Sequence, residues 1–295
     1  MIEGVCKLCG EMKALQHSHV LPAFVFRWQR ESSGNGYIRS SHEPNLRVQD
    51  GLKFYWLCFN CEQRFSKWEA EFASTLFHPY LAKSEQRFGY GPWLLKFCVS
   101  LSWRVLTYAF EKDGLASWSP QDVDRAMKAE LVWREYMLGA RSHPGEFRQH
   151  VLPLDVMASA TGELAPNMNR YLTRAIQLDI VSGAGAAFTY SKLGRWAVFG
   201  SISEPRGAWA GTKVNANEGV IGPSTYTVPA QLREYWNEKA RKMSAALASV
   251  SDKQQRKIEA AFRSNLDRFV KSDAFDAMNA DVSMFGDEAF TKRQT

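Results

Sequence analysis

Four of the five cysteines in this 295-residue chain form two short pairs whose spacing suits metal binding. Cys6 and Cys9 make the first Cys-x-x-Cys pair, and Cys58 and Cys61 make the second. Zinc prefers four soft or borderline ligands in a tetrahedron, and each such turn supplies two thiolates. The pattern predicts one structural Zn²⁺ ion bound by all four. Two unrelated structural pairs or a redox dithiol are the alternatives, and Cys98, within an apolar stretch, is expected to be a core residue.

Short motifs follow one another in a fixed order over residues 6 to about 70. They read Cys6-x-x-Cys9, Ser18-His19-Val20-Leu21-Pro22, Asp50-Gly51-Leu52 and Leu57-Cys58-x-x-Cys61-Glu62-x-x-Phe65. This order resembles the HNH endonucleases, whose Cys-bearing members use zinc knuckles to join a hairpin and a helix. The sequence departs from the family at two positions. Asp50 stands where the family has Asn, and Glu62 stands where it has its last His.

The resemblance implies a chemical role for four side chains. His19 matches the general base that takes a proton from the attacking water, and an imidazole that titrates near neutral pH suits this role. Asp50 would orient His19, and Glu62 would bind a catalytic Mg²⁺ or Mn²⁺ ion. Glu69, two turns along the same helix face, would add a second acidic ligand. The alternatives are a capping or core histidine, a turn aspartate, and a glutamate that complements the helix dipole.

Basic residues flank these motifs and are candidates for phosphate contacts, which position DNA without reading its bases. They are Arg27, Arg30, Arg47, Lys53 and Arg64. Solvated surface charges are the alternative. The net charge of +6 is spread evenly: Lys and Arg number 9 against 7 acidic residues in 1–70, 16 against 14 in 71–230, and 12 against 10 in 231–295. Charge therefore permits a nucleic-acid partner without requiring one.

Local elements must bring the candidate residues together. Pro22 predicts the start of a helix, and Asp50-Gly51 predicts a two-residue hairpin turn between the two short strands that flank it. A second helix is predicted to begin near the second cysteine pair, because its apolar residues fall at helical spacing. Those residues are Phe65, Trp68, Phe72 and Leu76. A knuckle, a hairpin and a cysteine pair that opens a helix make the layout of a treble-clef zinc module.

The remaining chain predicts a larger α+β region of unknown role. We expect an HNH-like zinc module in residues 1–85 and a second domain in residues 86–290. Within the second domain, periodicity predicts helices in 93–138, a β-rich segment in 153–228 and helices in 229–271. The fold class is therefore α+β, with terminal helices.

The most apolar segment, Trp93 to Phe110, is predicted to be a core helix and not a membrane span. Lys96 and Arg104 would each cost roughly 2.5–3.5 kcal/mol at a bilayer centre. Together with Ser100 and Thr107 they form one narrow polar stripe at helical spacing. No signal peptide is visible at the N-terminus. We therefore expect no membrane partner and a cytoplasmic location.

Three hypotheses about function follow from these patterns. The leading one is a metal-dependent HNH-like endonuclease that cleaves or nicks DNA, in the phage-defence or mobile-element setting that the resemblance implies. The second is a catalytically silent, zinc-stapled module that binds nucleic acid or a protein. The third makes the zinc module purely structural and places an activity in residues 86–290. In the leading hypothesis, residues 86–290 would supply substrate choice, partner docking or self-association.

Overall fold

The computed structural model describes residues 2–83, 87–159, 163–183, 185–222 and 225–290. Helices and strands are both well represented, and the fold class is α+β as predicted. The strands are β1 (Ile2–Val5), β2 (Met12–His19), β3 (Ile38–Arg39), β4 (Arg47–Val48), β5 (Lys53–Cys58), β6 (Phe88–Tyr90), β7 (Gln149–Pro153), β8 (Ile176–Gly183), β9 (Ala186–Leu193), β10 (Trp196–Ser203) and β11 (Gly219–Ile221).

The helices are α1 (Ala23–Glu31), α2 (Phe59–Phe72), α3 (His78–Leu81), α4 (Trp93–Glu111), α5 (Pro120–Leu138), α6 (Met168–Arg174), α7 (Gln231–Ala248), α8 (Asp252–Arg263), α9 (Leu266–Val270) and α10 (Asp273–Phe285). A π-helical turn at Ala73–Phe77 continues α2 into α3. The side chain of Ser119 caps α5 by accepting a hydrogen bond from the backbone N–H of Asp122, and Pro120 occupies its first position. The last long helix, α10, lies beyond the segment in which helices were predicted.

The N-terminal sheet has the order β1-β2-β5, and both pairings are antiparallel. Helix α2 begins directly where β5 ends. The chain between β2 and β5 forms α1 and the small ladder of β3 with β4. Strand β5 and the helix that follows it therefore carry the second cysteine pair, while the turn between β1 and β2 carries the first.

The predicted hairpin around Asp50-Gly51 is wrong. Strand β5 pairs with β2, and β4 pairs with β3. The register across β2 and β5 places His19 opposite Lys53. In this register the ring centroids of Phe54 and of Tyr108 in α4 are 5.7 Å apart. A helix distant in sequence therefore covers the Phe54 side chain of β5. Pairing of β5 with the two-residue strand β4 would not bury Phe54 in this way.

The second sheet has the order β7-β10-β9-β8, and all its neighbours are antiparallel. Helices α4 and α5 pack against each other and on this sheet. Helix α4 also packs on α2. The rings of Phe72 in α2 and Phe97 in α4 stack with centroids 4.1 Å apart, and Phe72 meets Trp196 of β10 at 5.6 Å. One apolar core therefore includes both the N-terminal sheet and the second sheet.

The division into domains at residues 85 and 86 stays a prediction, and this boundary lies outside the described residues. On either side of it the described residues share the core just mentioned. The module and the larger region are therefore in intimate contact.

The C-terminal helices fasten the segment between β2 and β5. Trp28 Nε1 of α1 donates a hydrogen bond of 3.1 Å to Asp273 Oδ2, at the start of α10. Arg268 Nε donates one of 3.2 Å to the carbonyl of Ser33. Gly34 is packed so closely against the rings of α8 and α9 that a Cβ there would lie 2.5 Å from Phe269. The C-terminal helices therefore hold the segment between β2 and β5 in place. This segment separates the motif of His19 from the motif of Cys58 and Cys61.

Helix α4 is the buried core helix that the polar stripe predicted. Arg104 is 3% exposed, and its Nε donates to the carbonyl of Ser100, one turn earlier. Across the described ranges, every helix is too short or too polar to cross a bilayer.

Candidate metal centre and histidine site

The first cysteine pair lies in a tight turn between β1 and β2. The backbone N–H of Gly10 donates to the carbonyl of Cys6 at 2.8 Å, and Gly10 has a φ of +78°, a conformation that favours glycine. The N–H of Lys7 donates to the carbonyl of Trp56 at 2.8 Å, which ties the turn to β5. Cys58 ends β5 and Cys61 lies in the first turn of α2. The sheet register therefore brings the two pairs face to face.

The four cysteine sulfurs converge as the spacing predicted. All four Sγ atoms lie within 4.8 Å of one another, and Cys9 Sγ is 3.9 Å from Cys58 Sγ. A tetrahedron with zinc–sulfur bonds of about 2.3 Å has sulfurs about 3.8 Å apart. All four are free thiols, three of them buried. The cluster can hold a metal ion such as zinc.

The surroundings of the cluster favour a cation. Burial acts to raise the pKa of Cys6, but hydrogen bonds from the backbone N–H groups of Cys9, Cys58 and Leu8 outweigh it and lower the pKa to about 7. The pKa of Cys61 is raised, first by burial and then by the thiols beside it. Adjacent thiols oppose one another's ionisation, and a cation at their centre removes that opposition.

His19 and Asp50 form a direct side-chain contact at the open end of β2. His19 Nε2 lies 2.9 Å from Asp50 Oδ1, although the residues are 31 positions apart in sequence. The other carboxylate oxygen, Oδ2, lies 2.6 Å from Lys53 Nζ. The side chains of His19 and Asp50 are 19% and 35% exposed. The imidazole is thus oriented by a carboxylate and remains within reach of a ligand.

Asp50 is held as a carboxylate by its neighbours. Burial acts to raise its pKa, but hydrogen bonds from Lys53, from His19 and from the N–H of Gly51 outweigh this and lower the pKa to about 2. The loop also packs tightly on α1, because a Cβ on Gly51 would lie 2.4 Å from the ring of Phe26. Only glycine fits at that position without displacing the ring.

Glu62 is bonded to the residue that precedes His19. Ser18 Oγ donates to Glu62 Oε2 at 2.5 Å. Ser18 is buried and faces α2, whereas successive side chains along a strand point to opposite faces. His19 therefore projects from the other face of β2, toward Asp50. The structure brings Glu62 beside the backbone of this motif but bonds its carboxylate to Ser18 and not to the imidazole.

Glu69 is paired with the buried Arg104, a contact that sequence reasoning missed. Arg104 Nη1 lies 2.7 Å from Glu69 Oε1, and the same atom donates to the carbonyl of His19 at 3.0 Å. Burial raises the pKa of Glu69, against the opposing effect of Arg104. The polar stripe of α4 was the available signal, because a buried arginine needs an anionic or carbonyl partner.

No second cluster of metal ligands accompanies these side chains in the described part of the chain. There, the four cysteines are the one group of three or more His, Cys, Asp or Glu residues whose ligand atoms come close enough to share an ion. His19, Asp50, Glu62 and Glu69 do not form such a group, so a Mg²⁺ or Mn²⁺ site remains a prediction.

The candidate phosphate-binding residues differ in their surroundings. Arg27 is exposed on α1. Arg30 Nη1 donates to the carbonyl of Gln49, next to Asp50, and Lys53 pairs with Asp50 itself. Arg47 lies over the ring of Tyr37, with its guanidinium carbon 3.8 Å from the centroid. Arg64 Nη1 donates to the carbonyl of Met137, at the end of α5, at 2.8 Å. Of these five candidates, Arg30 and Lys53 are therefore the two bonded at or beside Asp50.

Comparisons with protein-family models, with curated proteins and with solved structures find no match to this chain.

Proposed function

We propose that this protein is an HNH-like endonuclease that hydrolyses phosphodiester bonds in DNA, with His19 as the general base. The observation that carries the proposal is the 2.9 Å contact between His19 Nε2 and Asp50 Oδ1. It joins two of the four motifs in which the sequence resembles that family. The contact joins the last residue of β2 to the loop just before β5, and β5 ends at the second cysteine pair.

The contact determines which nitrogen of His19 can act as a base. Asp50 is ionised at neutral pH, since its pKa is about 2, and a carboxylate only accepts hydrogen bonds. In neutral His19 the proton therefore lies on Nε2, facing Asp50, and Nδ1 carries the free lone pair. Nδ1 is the atom that would take the proton of an attacking water.

Glu62 is the better supported of the two candidate ligands for a catalytic metal, although its bond to Ser18 puts it on the face of β2 opposite the His19 side chain. Ser18 Oγ and the Glu62 carboxylate present oxygen atoms to each other, and oxygen is the ligand type that Mg²⁺ prefers. Glu69 is instead paired with Arg104, which leaves it less suited to a cation. When bound, the divalent ion supplies stabilisation of charge that develops on phosphate oxygens. Arg30 and Lys53 would hold the flanking phosphates.

A plasmid-nicking assay tests the proposal. The purified protein with Mg²⁺ or Mn²⁺ should convert supercoiled plasmid to open circles, and His19→Ala should reduce the rate by about 10²–10⁴-fold, the usual contribution of a general base. The exposed His42 supplies the matched control, since His42→Ala removes an imidazole away from the contact. Both variants should retain the wild-type zinc content and circular dichroism spectrum. A His19→Ala protein that nicks as fast as the wild type rejects His19 as the base.

A catalytically silent, zinc-stapled nucleic-acid-binding module is the second candidate. The pairing of Glu69 with Arg104 and the bond between Ser18 and Glu62 favour it, because both acidic groups already have partners. It predicts that the logarithm of the DNA-binding constant falls linearly with the logarithm of the salt concentration. It also predicts no cleavage with any divalent metal. The nicking assay separates the two candidates.

The cellular setting follows from the resemblance. We place the activity in the cytoplasm and in phage defence or mobile-element biology. Residues 86–290 would supply a docking surface for a protein partner or for a second copy of the chain.

A further inference from the structure

Two aromatic rings are stacked on the open face of the N-terminal sheet, beside the His19 contact. His17 of β2 and Tyr55 of β5 are directly opposite each other in the strand register. Their ring centroids are 4.8 Å apart, and the ring planes differ by 16°. His17 is exposed and Tyr55 is 44% exposed. Both side chains are exposed in the described part of the chain, so burial in the core does not account for the pair.

The stacked pair lies on the same face as the candidate base. Side chains two positions apart along a strand share a face, which groups His17 with His19 and Lys53 with Tyr55. Adjacent pairs on one face are separated by about 6.8 Å along the strand, or two residues at about 3.4 Å each. This is close to the spacing of one nucleotide in an extended strand. Among the described strands β5 is an edge of its sheet, so the outer face of the Tyr55 ring points past that edge.

The charge around the contact suits a polyanion. The segment of residues 47–53 contains Arg47 and Lys53, and Arg30 donates to the carbonyl of Gln49 within it. Lys53 pairs with the Asp50 carboxylate, and Arg30 and Arg47 add two positive charges close to it in the chain or through the Gln49 carbonyl. An exposed aromatic ring at the edge of a positively charged surface is the arrangement by which proteins hold single-stranded nucleic acid.

We propose that Tyr55, backed by His17, is a stacking platform for one unpaired nucleobase next to the phosphate that faces His19. Every base offers a π-face, so the platform selects for a strand with an accessible base and not for a sequence. A fully paired duplex hides both faces of each base within the helix. The substrate class is therefore nucleic acid with a single-stranded or unpaired stretch. This inference rests on the proposed function, since it assigns a substrate to the same site.

Binding of short fluorescent oligonucleotides by the full-length chain tests the platform. All measurements use the His19→Ala background, so that the strand stays intact. Tyr55→Ala should weaken binding of a single-stranded oligonucleotide by about 5- to 150-fold, the range for one stacked base. Tyr55→Trp should keep binding within about threefold, because an indole also stacks. Phe290→Ala, which removes an exposed ring that lines a groove with Asn167 and Arg241, should have no effect.

Abasic substitution shows whether the ring contacts a base. A series of oligonucleotides carries one abasic site, moved along the strand one position at a time. At one position, the abasic site should weaken binding as much as Tyr55→Ala does, and the two changes together should cost no more than either alone. At other positions the two effects should add. Additive losses at every position, or a Tyr55→Ala protein that binds as tightly as its parent, would overturn the proposal.

Two further readouts separate this inference from its alternatives. Stacking adds no phosphate contact, so Tyr55→Ala should leave the salt dependence of binding unchanged, and a shallower slope would instead assign Tyr55 to the backbone. Thermal melting reports whether the cross-strand pair only stabilises the sheet.

If wild-type protein nicks plasmid while Tyr55→Ala binds the oligonucleotide normally, the stacking platform is rejected and the nuclease proposal stands. If Tyr55 couples to a base but no metal supports cleavage, the nuclease fails and the platform stands.

Discussion

Arg104 forms an ion pair of 2.7 Å with Glu69, and the same guanidinium nitrogen donates to the backbone carbonyl of His19. The arginine is almost completely buried in α4, whereas Glu69 belongs to α2 and His19 ends β2. One side chain from α4 therefore fixes both the helix and the strand that lie beside the cysteine cluster. The position of the histidine backbone depends on a residue 85 positions later in the sequence.

Removing Arg104 alone should strongly destabilise the protein. Arg104→Met leaves the Glu69 carboxylate buried without its cation, and breaking one partner of a buried pair costs about 3–5 kcal/mol. The double variant Arg104→Met/Glu69→Leu should recover most of that loss, since no buried charge remains. Urea unfolding of the two single variants and the double variant gives the coupling energy. A double variant as unstable as Arg104→Met would contradict the assignment of the pair.

Loss of one cysteine ligand should release the metal and loosen the N-terminal sheet. Structural zinc contributes an apparent 10–16 kcal/mol, roughly, in zinc-finger peptides, so the sheet and α2 should lose a large part of their stability in Cys61→Ser. Elemental analysis should find about one zinc per wild-type chain, as expected for a single four-ligand site. The matched control is Cys98→Ala, which removes a buried thiol within α4 and should keep the metal. Equal zinc content in both variants would reject the cluster as the binding site.

The bonds to Asp50 should contribute stability that disappears in acid. The pKa of Asp50 is lowered from 3.8 to about 2, because hydrogen bonds from Lys53, His19 and the Gly51 N–H outweigh the opposing effect of burial. A folded-state pKa below the unfolded value means that the contribution is fully present above the unfolded pKa and is lost as the pH falls through the folded one. Asp50→Asn should thus be less stable than wild type at neutral pH.

The difference in free energy of unfolding between the wild type and Asp50→Asn should shrink as the pH falls from above 3.8 toward 2. Denaturant unfolding of both proteins at matched pH values measures it, and the comparison cancels the acid sensitivity that they share. A gap that is independent of pH would show that Asp50 acts through shape and not through charge.

A second carboxylate beside Glu62 should make the melting temperature of the protein sensitive to Mg²⁺. In Ser18→Asp, the new side chain replaces a hydroxyl that lies 2.5 Å from Glu62, so two carboxylates face each other and repel. A divalent cation relieves this repulsion, and Mg²⁺ should raise the melting temperature of Ser18→Asp more than that of the wild type. Ser18→Asn has nearly the same shape without the charge and serves as the control. An equal Mg²⁺ response from the Asp and Asn variants would show that the pair does not bind the ion.

Local spacing was enough to predict the cysteine cluster, because its four ligands come from two short motifs. Each Cys-x-x-Cys turn positions its own two thiolates, so convergence required only that the two turns meet. The contact of His19 with Asp50 agrees with the order of the motifs, but the strand pairing behind it was predicted wrongly. Asp50-Gly51 is a good turn sequence, yet the choice between β2 and β4 as the partner of β5 depends on burial of Phe54 by α4. That burial is a long-range effect.

Two other features depended on contacts between distant residues. Arg104 was predicted within a polar stripe, but its partner Glu69 lies on a helix 35 residues earlier, and no local pattern connects them. The helix that ends the chain, α10, was missed because two of its polar residues have partners elsewhere. Asp273 bonds to Trp28, and the buried Asp281 pairs with Arg170. These side chains make the helix appear less amphipathic in sequence than it is in the fold.

The anchoring of the segment between β2 and β5 has a consequence for the order of folding during synthesis. Trp28 is bound by Asp273 and Ser33 by Arg268, so these bonds cannot form until the ribosome has added the acceptor and donor near the end of the chain. A nascent chain therefore carries His19 and Asp50 while more than two hundred further residues are added before the loop between them is fastened.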